Sequence, residues 1–89
     1  ILNQGKMYKN KTFSLILPAY NEEFHIKKNI NSFFDTEIFD EIIVVDNNSS
    51  DNTAQEIKKT SAIYIKENIQ GYGAALRRGM QESKFDYLV

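Results

Sequence analysis

Apolar positions fall into two alternating patterns along this chain. A short run at 13–17, broken only by Ser14 and ended by Pro18, predicts a buried strand. From Glu22 the period changes, and Ile26, Ile30, Phe33 and Phe34 fall at i, i+4, i+7 and i+8, opposite Lys27, Lys28 and Asn31. That stripe predicts a helix, with Asn21 as its N-cap and Glu22 and Glu23 in the first turn, where the helix dipole favours acids. Phe24, Phe33, Phe34 and Phe39 all sit at core spacing.

The same rhythm then repeats. Ile42, Ile43, Val44 and Val45, bounded by Glu41 and Asp46, form an unalternated run, as expected of a parallel strand covered on both faces. After the loop 47–51, Ser50 or Asp51 caps a second helix reaching about Lys59, with Ala54 and Ile57 inward. Residues 62–65 predict a third strand, and 71–83 a third helix with Tyr72, Leu76, Met80 and Ser83 as its inward stripe. Residues 85–89 open a fourth strand. The order β-α-β-α-β-α-β with short connections implies a doubly wound, Rossmann-like parallel sheet with helices on both faces. Ligands of such sheets bind beyond the carboxyl ends of the strands.

Composition narrows the function classes. A formal charge of −1 and no stripe of Lys or Arg argue against nucleic acid as a partner. The absence of cysteine excludes disulfides and thiolate metal sites. No apolar run reaches the ~18–20 residues of a membrane span, and the polar start is unlike a signal peptide. Residues 1–12 read as a poorly ordered leader, and 13–89 as the structured part. These features are compatible with a reducing compartment, and the expected setting is the cytoplasm or the cytoplasmic face of a membrane.

Three loops converge on one sheet edge. The first holds Pro18, Ala19, Tyr20 and Glu22, where Tyr20 offers a flat face and Glu22 an acceptor for a ribose or base edge. The second holds Asp46, Asn47 and Asn48, with Asp46 at the end of a buried strand, where a carboxylate needs partners. The third runs through Gly71 and Gly73 into a helix carrying Ala75, and a helix start offers free N–H groups to an anion. Each loop read alone is also explained as a turn with a cap. The third lacks the dinucleotide fingerprint, because Leu76 stands where its third glycine would fall. Gly79, inside the third helix, implies a close packing contact. Arg77 and Arg78 read as solvated or as phosphate partners, and His25, the single histidine, as bland.

The motifs Ser14-Leu15-Ile16-Leu17-Pro18-Ala19-Tyr20-Asn21-Glu22-Glu23, Ile42-Ile43-Val44-Val45-Asp46-Asn47-Asn48-Ser49-Ser50-Asp51-Asn52-Thr53 and Asn68 followed by Gly71-Tyr72-Gly73-Ala74-Ala75-Leu76-Arg77-Arg78-Gly79 together resemble the start of family 2 glycosyltransferases. The third is most similar to the dolichyl-phosphate mannose synthase-like branch. The resemblance implies the N-terminal half of a GT-A fold, a UDP- or GDP-sugar donor, a divalent metal (Mg or Mn), and an acceptor that is a lipid phosphate or a saccharide. It also implies that the 18–22 loop lines the nucleoside, that the acids after the second strand meet the base, and that Gly71 and Ala75 let the nucleotide lie close. One departure is Asn47, an amide where the family pattern has a second acid, which leaves the base preference open. The other is that the Asp-x-Asp metal motif would lie past Val89, so no catalytic or metal residue is assigned here. The chain is therefore expected to be an inactive donor-binding part of its parent, with a cut sheet edge inviting self-association. The alternatives are a non-enzymatic nucleotide-binding or interaction module and a sugar-phosphate nucleotidyltransferase-like domain.

Overall fold

The computed structural model describes residues 13–88. The expected leader at 1–12 lies outside the described residues. Four strands, β1 (Phe13–Ala19), β2 (Glu41–Asp46), β3 (Ile63–Lys66) and β4 (Asp86–Leu88), alternate with helices α1 (Ile26–Asp35), α2 (Thr53–Lys58) and α3 (Tyr72–Glu82). All pairings are parallel and the sheet order is β3-β2-β1-β4. The predicted doubly wound arrangement is the one observed.

β2 is the spine. All six of its residues are buried, because apolar groups cover both faces of the sheet. On one face Leu15, Ala19, Ile42 and Val44 pack against Ile26 and Ile30 of α1 and Ile57 of α2. On the other, Ile16, Ile43 and Val45 pack against Ala75 of α3, with Leu76 at the margin. Odd and even positions of one strand thus serve two cores, which explains why the run shows no alternation.

Four local expectations need correction. Helix α1 begins at Ile26 rather than near Glu22, and Asn21 is not its cap: Asn21 takes a left-handed φ of 49° and spends its side chain elsewhere. The backbone makes a separate turn first, with the His25 and Ile26 N–H groups both donating to the Glu22 carbonyl. Neither Ser50 nor Asp51 is the N-cap of α2. Asn52 occupies that place without a side-chain bond, while Asp51 accepts from the N–H of Thr53. The inward face of α3 is Ala75 and Gly79, one position off the predicted stripe, and Tyr72 and Met80 are exposed. Small residues win that face because α3 lies almost on the sheet. Finally, Phe24 is 86% exposed, whereas Phe33 and Phe39 pack edge to face, 6.3 Å apart.

Strand β1 also runs through Pro18 to Ala19, two residues past the expected end, with Pro18 paired to Val45. Among the described residues β4 pairs only with Phe13, Ser14 and Leu15. Among the described residues Pro18 has a strand partner on the β2 side alone, and its missing N–H is tolerated where no ladder bond is made.

Candidate functional site

The loops after β1, β2 and β3 meet at the carboxyl edge of the sheet, and hydrogen bonds join them into one rim. Between the first and second loops, the Asn21 N–H donates to Ser49 Oγ at 2.9 Å, and the Ser50 N–H donates back to Asn21 Oδ1 at 2.9 Å. The Glu22 N–H donates to Thr53 Oγ1 at 2.8 Å, the Glu23 N–H to Asp51 Oδ2 at 3.3 Å, and the Asn47 N–H to the Ala19 carbonyl at 2.8 Å. Between the second and third loops, the Asn47 amide donates to the carbonyls of Ile69 (2.8 Å) and Glu67 (3.4 Å), and its oxygen accepts from the Gly71 N–H at 2.8 Å. Gln70 Nε2 donates to the Asn47 carbonyl at 3.1 Å, and Asn48 Nδ2 to Gln70 Oε1 at 3.4 Å.

Inside this rim lies a cleft of ≈ 380 Å³ lined by Pro18, Ala19, Tyr20, Glu22, Asn47, Gln70, Gly71, Tyr72 and Ala75. That volume suits a small-molecule ligand. Seven of the nine residues singled out in the sequence line it: Pro18, Ala19, Tyr20, Glu22, Asn47, Gly71 and Ala75. Asp46 and Asn48 do not. Gln70 and Tyr72 also line it, and the loop pattern does not single them out. The helical period places Tyr72 on an inward stripe, but a first-turn residue projects past the strand ends, which is where a rim forms. The glycine beside it was the available signal. Gly71 itself sits at φ 130°, a conformation other residues rarely adopt. Arg78 turns away from the cleft towards Glu67 and Glu82, at 3.9 and 3.6 Å.

Asp46 is only 2% exposed and its two oxygens are occupied: Oδ1 accepts from the Ser49 N–H at 3.1 Å and Oδ2 from the Tyr64 hydroxyl at 2.9 Å. Burial, followed by that hydrogen bond and the carboxylate's charge, pushes the Tyr64 phenol up to about 12. The folded state therefore holds the proton more tightly than the unfolded chain. The resulting stabilisation is intact below the ordinary tyrosine pKa near 10 and is lost as pH rises towards 12. In an alkaline absorbance titration, one tyrosine should ionise last, near pH 12, and Asp46→Asn should bring it back towards 10. A Tyr64→Phe protein that still shows the late phase would remove this assignment. Asp51, on the rim, is partly desolvated, which raises its pKa. Bonds from the Thr53 hydroxyl and N–H and the Glu23 N–H outweigh this and leave it below the usual value.

Across residues 14–89 the chain matches the model of the family described as glycosyl transferase family 2. The chain belongs to that family. It is 38% identical over 72 residues to protein RfbJ of Shigella flexneri, an alignment covering 81% of this chain and 56% of RfbJ. With the dolichol-phosphate mannosyltransferase of Saccharomyces cerevisiae it shares 31% identity over 88 residues, covering 86% of this chain and 33% of that one. Among solved structures, glucosyl-3-phosphoglycerate synthase of Mycobacterium tuberculosis, in complex with Mn2+, UDP-glucose and phosphoglyceric acid, superposes with a TM-score of 0.82 at 26% identity. That match covers 99% of this chain and 36% of the synthase. The family 2 chain described here thus spans about half of the first curated relative and about a third of the second. Its sheet corresponds to the Rossmann-like N-terminal part of a GT-A fold. Solved complexes of that synthase contain Mn2+ with UDP-glucose or Mg2+ with UDP. Among the described residues no helix is long and apolar enough to cross a membrane.

Proposed function

We propose that this chain binds the nucleoside diphosphate of a sugar donor, within an enzyme that transfers the sugar to a lipid phosphate or saccharide acceptor. The observation that carries this reading is the cleft at the carboxyl edge of β1 and β2, built from the three motif loops of a family 2 chain. The solved neighbours bound to UDP-glucose or UDP make a uridine nucleotide the first donor to test.

The lining suggests a division of labour. Tyr20 and Tyr72, 52% and 68% exposed, present aromatic faces on which a base can stack. Glu22 is the one carboxylate among the lining residues, and it accepts from ribose hydroxyls or a base N–H. Gly71 and Ala75 leave room for close approach, and the first-turn N–H groups of α3 favour the diphosphate. Asp46 acts at one remove, holding the Ser49 N–H and the Tyr64 hydroxyl rather than the ligand.

Among the described residues no three His, Cys, Asp or Glu side chains come together, so no metal-binding residue of this chain is named. A metal bound in the whole enzyme would neutralise charge on the departing diphosphate. This chain's own part is to bind and orient the nucleotide.

Calorimetry on the full-length protein carrying this chain tests the reading. UDP should bind, and Glu22→Gln should weaken it about ten- to a hundredfold, the range for losing a charge-assisted hydrogen bond. No UDP or GDP binding by the unaltered protein would sink the proposal. Unchanged affinity in the variant would retire Glu22 alone.

A further inference from the structure

Asn47 stands where the family pattern places an acid, and its side chain is already engaged. Both amide hydrogens go to the third loop, to the carbonyls of Ile69 and Glu67, and the amide oxygen holds the Gly71 N–H. The residue is 6% exposed, so these bonds form with little competition from water. An amide with both donors spent has none left for a base, and a carboxylate could not make the two donations at all. The partners matter as much as the count. Ile69 and Gly71 flank Gln70, which lines the cleft, and Gly71 leads directly into Tyr72 and α3. The Gln70 side chain returns to the Asn47 carbonyl, closing the same knot from the other side.

We infer that Asn47 is a positioning residue, a latch that sets the third loop and the start of α3 against β2 and so fixes the cleft's shape without reading the base. This rests on the nucleotide-binding reading above, but the latch itself is measurable without any nucleotide. Two consequences follow. Loss of the latch should weaken nucleotides with different bases by the same factor. It should also loosen Gly71 locally while leaving the sheet intact.

The test uses the full-length protein, its Asn47→Ala variant and its Asn47→Asp variant. Amide exchange in the unliganded protein should show Gly71 protected relative to the first-turn amides of α3, which lack a helical partner. In Asn47→Ala, Gly71 exchange should rise at least about tenfold while Ile16 and Val44 stay slow. UDP and GDP affinities should both fall about tenfold, with their ratio unchanged. Asn47→Asp keeps an acceptor for Gly71 but turns a carboxylate on two carbonyls. It should protect Gly71 better than Ala does and still weaken both nucleotides together. A UDP-to-GDP ratio that shifts more than about threefold in either variant would mean that Asn47 reads the base, and would overturn the inference. Gly71 exchanging as fast as its neighbours in the unaltered protein would overturn it too, even if neither variant folds. Absence of all nucleotide binding, with Gly71 protected and released by Asn47→Ala, would sink the functional proposal and leave the latch standing.

Discussion

Gly79→Ala is expected to destabilise the protein by about 1–3 kcal/mol, although Ala favours a helix over Gly by about 1 kcal/mol. A Cβ at position 79 would lie 2.3 Å from Ile16 Cγ2 and 3.2 Å from Val45 Cγ2. Ile16 is fully buried and β-branched, so its Cγ2 cannot swing aside as the tip of a long side chain would. The helix must lift off the sheet instead, and Ala75, one turn earlier, lifts with it. Since Ala75 and Gly71 line the cleft, the same change should disturb nucleotide binding. Urea unfolding measures the loss. Adding Ile16→Leu, which moves the branch from Cβ to Cγ, should recover part of it. A Gly79→Ala protein as stable as the parent would mean that α3 does not ride this close.

Glu41→Ala should cost about 2–4 kcal/mol, at the opposite end of the sheet from the cleft. Glu41 is 8% exposed, and its Oε2 accepts from the Ser14 hydroxyl and from the Lys84 N–H at 3.0 Å. One carboxylate thereby ties β1, β2 and the turn before β4. Removing it strands the fully buried Ser14 hydroxyl and takes the partner from the part-buried Lys84 N–H. Glu41→Gln keeps an acceptor oxygen and should lose less. Thermal or urea unfolding with Glu41→Ala within about 0.5 kcal/mol of the parent would show that the clasp contributes little.

A glycine inside a helix announces a close contact at Gly79 but not its partners Ile16 and Val45, and no local pattern announces the Glu41 clasp. The apolar run in β2 fixed a buried strand because four β-branched residues in succession suit a sheet covered on both sides. The stripe from Ile26 to Phe34 fixed α1 for the same kind of reason: its period matches one helix face. Family motifs placed Pro18, Tyr20, Glu22 and Gly71 at one edge, and there the structure has its cleft. Element ends were harder to read. Asn21 has the chemistry of a cap, yet it bonds Ser50 across the rim, a partner distant in sequence.

The layering, the parallel order and the edge where the motif loops gather were all legible in the chain before it folds. These follow from periodicity and from short connections, which are local properties of the chain. Which partners the polar side chains at that edge take is a matter of the folded arrangement. The sequence offers Asp46 and Asn47 as ligand contacts, and the fold gives each of them protein partners as well: Ser49 and Tyr64 for Asp46, and Glu67, Ile69 and Gly71 for Asn47. The same holds for α3, whose inward face is set by Ala75 and Gly79 because the sheet leaves room for nothing larger at Gly79. A buried polar group must find partners, and a helix must fit the surface beneath it. Both conditions depend on neighbours that the chain brings together only when it folds.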